Sequence, residues 1–230
     1  MEADGILARL KSLANPEAVD GMARYGINPH NTLGVSIPTL RGLAKQIGTD
    51  HELAAQLWAS GIHEARILAS LVDDPRKVSE AQMDSWAADF DSWDICDQVC
   101  SNLFCRTPFA GTKAVQWSAG GEEYVRRAGF VLMAGLAVRD KKSADAEFMR
   151  FFPLMVQAAT DERNYVKKAV NWALRGIGKR NLALNAKAIQ IAQEIKALDS
   201  RSARWIASDA LRELTGEAVQ RRLLYEMQGK

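Results

Sequence analysis

The residues best suited to chemistry lie together in the stretch 90–100, FDSWDICDQVC. Trp93 and Asp97 are four residues apart, so on a helix they share a face, about one turn apart. A large π-surface beside a carboxylate near the start of a helix suits a cationic ligand. On these residues alone the plainer reading stands first, with Trp93 a half-buried anchor and Asp97 a solvated acid. Asp91 or Ser92 is a natural N-cap, and Asp94 follows Asp91 by three, much as in a capping box. Helix capping is therefore the expected role of Asp94.

No other stretch competes for catalysis. His30, His51 and His63 are scattered, and none stands in a nucleophile motif. Cys96, Cys100 and Cys105 are spaced C-x3-C-x4-C without a neighbouring His, which fits neither a zinc site nor a disulfide framework. Cys96 and Cys100 share a helical face and read as small buried apolar residues. There is no G-x-G-x-x-G and no P-loop. The expectation is a site with no metal and no cofactor.

The elements that must carry these residues read as helices throughout. Helical patterns begin at Ala3, run through AVDGMARYGI and TLRGLAKQIG (with Thr39 as a possible cap), and recur at 50–60, 62–72 and 79–89. The short GVSI run has no partner run elsewhere and ends at Pro38, which argues against a strand. The longest apolar run without charge, 130–138, is far short of a membrane span. The start, MEADG, lacks the basic and apolar regions of a signal peptide. These features predict an all-α, cytoplasmic, monomeric protein folding as one domain over residues 1–230.

The second half contains weak internal similarity. Placing Trp172 on Trp205 also places Lys168 on Arg201 and Lys179 on Arg212, an offset of 33, while Arg127 and Lys168 give an offset of 41. Such periods belong to helix-pair repeats. They predict an α-solenoid of HEAT-like repeats with a concave basic groove.

Charge points the same way. Residues 1–115 carry 10 basic and 15 acidic side chains, and residues 116–230 carry 20 and 13, inside a net charge of only +2. On the helix around DERNYVKKAVNWALRGIGKR, residues Val166, Val170, Ala173 and Ile177 form an apolar stripe. Tyr165, Lys168, Trp172, Arg175 and Lys179 gather opposite it, and that stripe contains no acid. Arg201, Trp205, Ser208 and Arg212 likewise oppose Ile206 and Ala210. Arg127 sits on a helix that is apolar nearly all round, where a charge must find a partner. Cations interleaved with aromatics on successive helices suit the phosphates and bases of a nucleic acid. An acidic protein partner is the rival.

Taken together, MARY at 22–25, LG-x-x-x-P at 33–38, W-D-x-x-D at 93–97, RRA at 126–128 and KKA-x-x-W-x-LR at 167–175 resemble the AlkD-like DNA alkylation repair family. This family comprises HEAT-like-repeat alkylpurine DNA glycosylases. The resemblance implies hydrolysis of the N-glycosidic bond of cationic alkylated purines in double-stranded DNA. It places the family's catalytic Trp and Asp on Trp93 and Asp97, its active-site Arg on Arg127 and its second aromatic clamp on Trp172. Tyr25 would lie near the lesion. Arg126, Lys168, Arg175, Lys179, Arg201, Trp205 and Arg212 would meet DNA. Ser92 departs from members that carry a second tandem Trp there, and Arg126 from members with a neutral residue. The family also includes paralogues that bind DNA without glycosylase activity, so a non-catalytic DNA-structure binder and a HEAT-repeat protein scaffold are the alternative readings.

Overall fold

The computed structural model describes residues 2–228. Every regular element is helical, and there is no strand among the described residues. The chain divides into two compact units at Phe109 and Ala110.

The first unit contains α1 (Ala3–Ser12), α2 (Pro16–Arg24), α3 (Ile37–Ile47), α4 (His51–Ala59), α5 (His63–Val72), α6 (Glu80–Ala88) and α7 (Trp93–Asn102), then a 3-10 turn, Phe104–Arg106. Four of the helix starts are written in polar caps. Asn15, Ser36, Asp50 and Ser79 each accept the amide N–H three residues on. Ser36, not Thr39, therefore caps α3. Pro38 lies in that helix's first turn, where its missing N–H costs nothing.

α5 is the centre of this unit, with α3, α4 and α7 packed on it. Ala65, Ile67, Leu68, Ala69 and Val72 are all buried along it. Trp58 of α4 stacks on Trp86 of α6 with centroids 4.0 Å apart. Each such large apolar side chain contributes roughly 1.5–3 kcal/mol by burial.

α5 also clasps the loop before α3. The Glu64 carboxylate is 1 % exposed and accepts the amides of Leu33 (2.9 Å), Gly34 (2.6 Å) and Val35 (3.2 Å). Those three bonds repay the burial of the charge. The GVSI run is therefore not a strand: the amides of Gly34 and Val35 are satisfied by a carboxylate, Ser36 is the N-cap of α3, and Ile37 begins that helix. Gly34 has φ +78°, and a Cβ there would lie 2.2 Å from the Asn15 carbonyl oxygen.

The second unit contains α8 (Ala110–Ser118), α9 (Glu123–Arg139), α10 (Asp145–Met149), α11 (Phe152–Ala158), α12 (Asn164–Gly178), α13 (Leu182–Lys196), α14 (Arg201–Leu214) and α15 (Glu217–Gln228). Helices pair as α8/α9, α11/α12 and α13/α14, with α9, α12 and α14 side by side in one layer. Gly129 lets α8 and α9 approach closely, since a Cβ there would sit 2.4 Å from the Ser118 nitrogen. Val166, Val170, Ala173 and Ile177 are all fully buried, as the apolar stripe of α12 predicts. Bonds across the layer join residues 38 apart, namely Arg127 to Tyr165, Asn171 to Asp209 and Arg175 to Glu213. The offsets of 33 and 41 read from the sequence bracket this spacing.

Candidate nucleic-acid interface and reactive residues

In the first unit the start of α7 is fixed from three directions. Trp93 donates its indole N–H to the Tyr25 carbonyl at 3.0 Å. Asp91 accepts from the Asn28 amide at 2.8 Å. Asp94 accepts from the Ser92 hydroxyl at 2.7 Å and bonds the His63 ring at 2.8 Å. The capping box expected of Asp91 and Asp94 does not form. Ser92 is the N-cap but makes no side-chain cap bond, because its hydroxyl points to Asp94.

The His63–Asp94 pair is buried, with the imidazole 3 % exposed. Burial pushes the His63 pKa down, but the hydrogen bond and charge of Asp94, aided by Glu64 and Asp91, outweigh it and raise the pKa. Burial likewise pushes Asp94 up, and the His63 bond and charge hold it below its ordinary value. Asp97 stands one turn after Trp93 and is partly exposed. Tyr25, at the C-cap of α2, is 77 % exposed with its ring outward. Cys96 and Cys100 are buried, as their shared helical face predicts, and Cys105 is buried as well.

In the second unit the tandem arginines of α9 are built into the helix layer. Arg127 is 6 % exposed and donates to the Tyr165 carbonyl at 2.6 Å, across to the start of α12. Arg126 donates to the Ser118 carbonyl at 3.1 Å and pairs with Asp161 at 3.2 Å. Asp161 also holds Arg163 at 2.6 Å. Arg127, the expected active-site arginine, and Arg126, expected to meet DNA, thus both have intramolecular partners.

Of the stripe on α12 and α14, Lys168, Arg201, Ser208 and Arg212 are exposed, with Trp172 37 % and Trp205 41 % accessible, whereas Tyr165, Arg175 and Lys179 are half-buried. Lys167 places its ammonium 5.1 Å from the Trp205 ring centroid. The missing acids of α12 are supplied by α14. Glu213 bonds both Arg175 and Lys179, the latter at 2.5 Å. Asp209 pairs with Arg212 on its own helix, lies 3.5 Å from Arg175, and accepts from Asn171 at 2.7 Å. Burial pushes the Glu213 carboxyl up, but the Lys179 bond and the Arg175 charge overcome this and leave it below its ordinary value.

Glu213, Asp209 and Asp161 do not show as counter-charges in the sequence, because they meet Lys179, Arg175 and Arg126 only through the tertiary fold. Only the i,i+3 spacing of Asp209 and Arg212 is visible along one helix. The His63–Asp94 pair was missed for the same reason.

The sequence matches the DNA alkylation repair enzyme family over residues 6–214. No curated protein is similar enough to be matched. Among solved structures, the chain is similar to a protein described as one of a new family related to the HEAT-like repeat DNA glycosylases with affinity for branched DNA structures. The TM-score is 0.77 at 22 % identity, over 94 % of this chain and 97 % of that one. It is also similar to a predicted DNA alkylation repair enzyme from Enterococcus faecalis, with a TM-score of 0.63 at 16 % identity, over 89 % and 97 % of the two chains. At such identities the likeness establishes a shared fold. No helix among the described residues is long and apolar enough to cross a membrane.

Proposed function

The chain belongs to the DNA alkylation repair enzyme family, and from that premise we propose that it is a DNA glycosylase. It hydrolyses the N-glycosidic bond of cationic alkylated purines, of the 3-methyladenine and 7-methylguanine type, in duplex DNA. The observation that carries this reading is the anchored Trp93 with a partly exposed Asp97 one turn on along α7.

A purine alkylated at a ring nitrogen carries a positive charge before it leaves. When the bond to C1′ breaks, its electron pair passes to the base, which departs neutral without a general acid. Positive charge develops on the deoxyribose instead, as in other oxocarbenium-like transition states. The Asp97 carboxylate stabilises that charge and orients the attacking water. The water oxygen bonds to C1′ and its proton is lost through the carboxylate to solvent. One preorganised group of this kind contributes on the order of 3–4 kcal/mol.

Trp93, with its indole N–H held by the Tyr25 carbonyl, presents a fixed face to the sugar. Trp172 packs against a nucleotide of the bound DNA. Arg127, Lys168, Arg201 and Trp205 serve the phosphates and bases, with Arg126, Arg175, Lys179 and Arg212 contributing charge already shared with protein acids. Tyr25 approaches the lesion.

Two observations favour a second reading. Arg175, Lys179 and Arg212 are neutralised in part by Asp209 and Glu213, and one similar protein is described by its affinity for branched DNA. That reading is a DNA-structure binder without catalysis. Incubation with duplex containing 7-methylguanine separates the two. The glycosylase releases the base and leaves alkali-labile abasic sites, whereas the binder shows salt-dependent retention of intact DNA.

A further inference from the structure

Beyond the stripe, the second unit holds an open cleft of about 700 Å³ where the ends of α9 and α12 meet the start of α13 and the outer face of α15. Lys141, Lys179, Arg180 and Arg222 line it, together with Trp172 and the carboxylates of Asp145 and Glu226. Cations outnumber acids at the wall. Several of these charges are already engaged. Lys179 is held by Glu213, Asp145 accepts from Asn181 at 2.8 Å, and Arg222 donates to the Lys179 carbonyl and lies 3.8 Å from Glu226.

Arg180 is different. Its guanidinium stacks 3.8 Å from the Phe148 ring centroid and donates to the Ala137 carbonyl at 2.6 Å. Its Nε is buried without a hydrogen-bond partner, and it forms no ion pair among the described residues. Burial disfavours its charge and lowers its pKa, with Asp140 and Asp145 acting only through space. An incompletely neutralised guanidinium of this kind gains from an anion. Lys141, exposed at the rim, makes no ion pair among the described residues either. Trp172 adds a flat apolar face 37 % open to solvent.

A cleft of this volume is in the range that takes a single small ligand. A phosphate site beside an exposed indole suits one nucleotide, base on the ring and phosphate on the cations. We propose that this cleft takes a single unpaired nucleotide of a DNA strand, its base against Trp172 and its phosphate held by Lys141, Arg180 and Arg222. The strand's identity rests on the DNA-binding reading above, while the nucleotide site stands on the cleft itself.

The test compares a duplex bearing a short single-stranded tail with its blunt counterpart, by fluorescence anisotropy on the full chain. Wild type binds the tailed duplex about tenfold more tightly, the scale of one stacked base. Lys141→Glu and Arg222→Gln, both at exposed positions, abolish that difference while changing blunt-duplex affinity much less. Equal loss on both substrates, or equal binding of the tailed and blunt duplexes by wild type, overturns the proposal. A second arm titrates deoxythymidine monophosphate against wild type and Arg180→Gln, with thermal melting to verify folding. Saturable binding that is lost in the variant upholds the site even if no duplex binds, an outcome that would overturn only the DNA reading. Absence of saturable nucleotide binding to wild type overturns the site.

Discussion

Glu213 restrains the basic face, and replacing it with Gln should tighten DNA binding. Its carboxylate bonds both Arg175 and Lys179, so a phosphate drawn to either cation would lie roughly 6–7 Å from a fixed negative charge. At an effective dielectric constant between about 20 and 80, that repulsion is roughly 0.6–2.5 kcal/mol, and physiological salt favours the lower end. About 1 kcal/mol corresponds to about fivefold tighter binding. The salt dependence should steepen as well, by roughly 0.9 in log–log slope for each phosphate newly met. Gln keeps the shape and one acceptor, so the fold should lose no more than about 1 kcal/mol, the scale of a half-exposed ion pair. Anisotropy titrations of a blunt duplex at two salt concentrations read both quantities. If Glu213→Gln weakens binding as much as Arg175→Gln, the carboxylate orients Arg175 toward DNA rather than competing with it, and the reasoning is refuted.

The buried His63–Asp94 pair makes stability depend on pH. The folded pKa of His63 lies above its ordinary 6.5, so its contribution is complete below that value and disappears as pH rises through the folded pKa. Asp94, held below its ordinary 3.8, contributes above that value and loses its contribution as pH falls through the depressed pKa. Thermal melts should therefore decline as pH rises from 6.5 through the raised His63 pKa, and His63→Gln should flatten that decline; an identical profile in the variant would assign the slope to other groups. Gly34→Ala places a Cβ 2.2 Å from the Asn15 carbonyl at φ +78°. Urea unfolding should show a loss of at least about 3 kcal/mol, and a loss under about 1 kcal/mol would mean that the loop is not held where it is described.

The helical order was legible because its signals are local. The helical patterns at 50–60 and 79–89 coincide with α4 and α6, and the apolar stripe Val166–Val170–Ala173–Ile177 reports the buried face of α12 directly. The exposed tryptophans were legible for the same reason, since one helix's periodicity fixes which face they occupy. What failed to show was everything settled between elements. Glu213 lies 34 residues from Lys179 and Asp94 lies 31 from His63, distances at which no spacing rule operates. A stripe without acids therefore looked less neutralised than it is. Asp94 looked like a cap because the sequence does not reveal that α5 aims a histidine at it. Trp93 and Asp97 were picked out by residue type, and the bond that fixes Trp93 runs to a backbone carbonyl, which no side-chain identity encodes.

The most direct test of the glycosylase reading is the single-turnover rate of 7-methylguanine release at saturating protein, for wild type and Asp97→Asn, with duplex affinity measured in parallel. The account predicts base release by wild type, a fall of about 10²–10³-fold in the variant, and affinity changed by less than about threefold. Release by the variant at the wild-type rate, or no release by wild type while duplex binding persists, would contradict it.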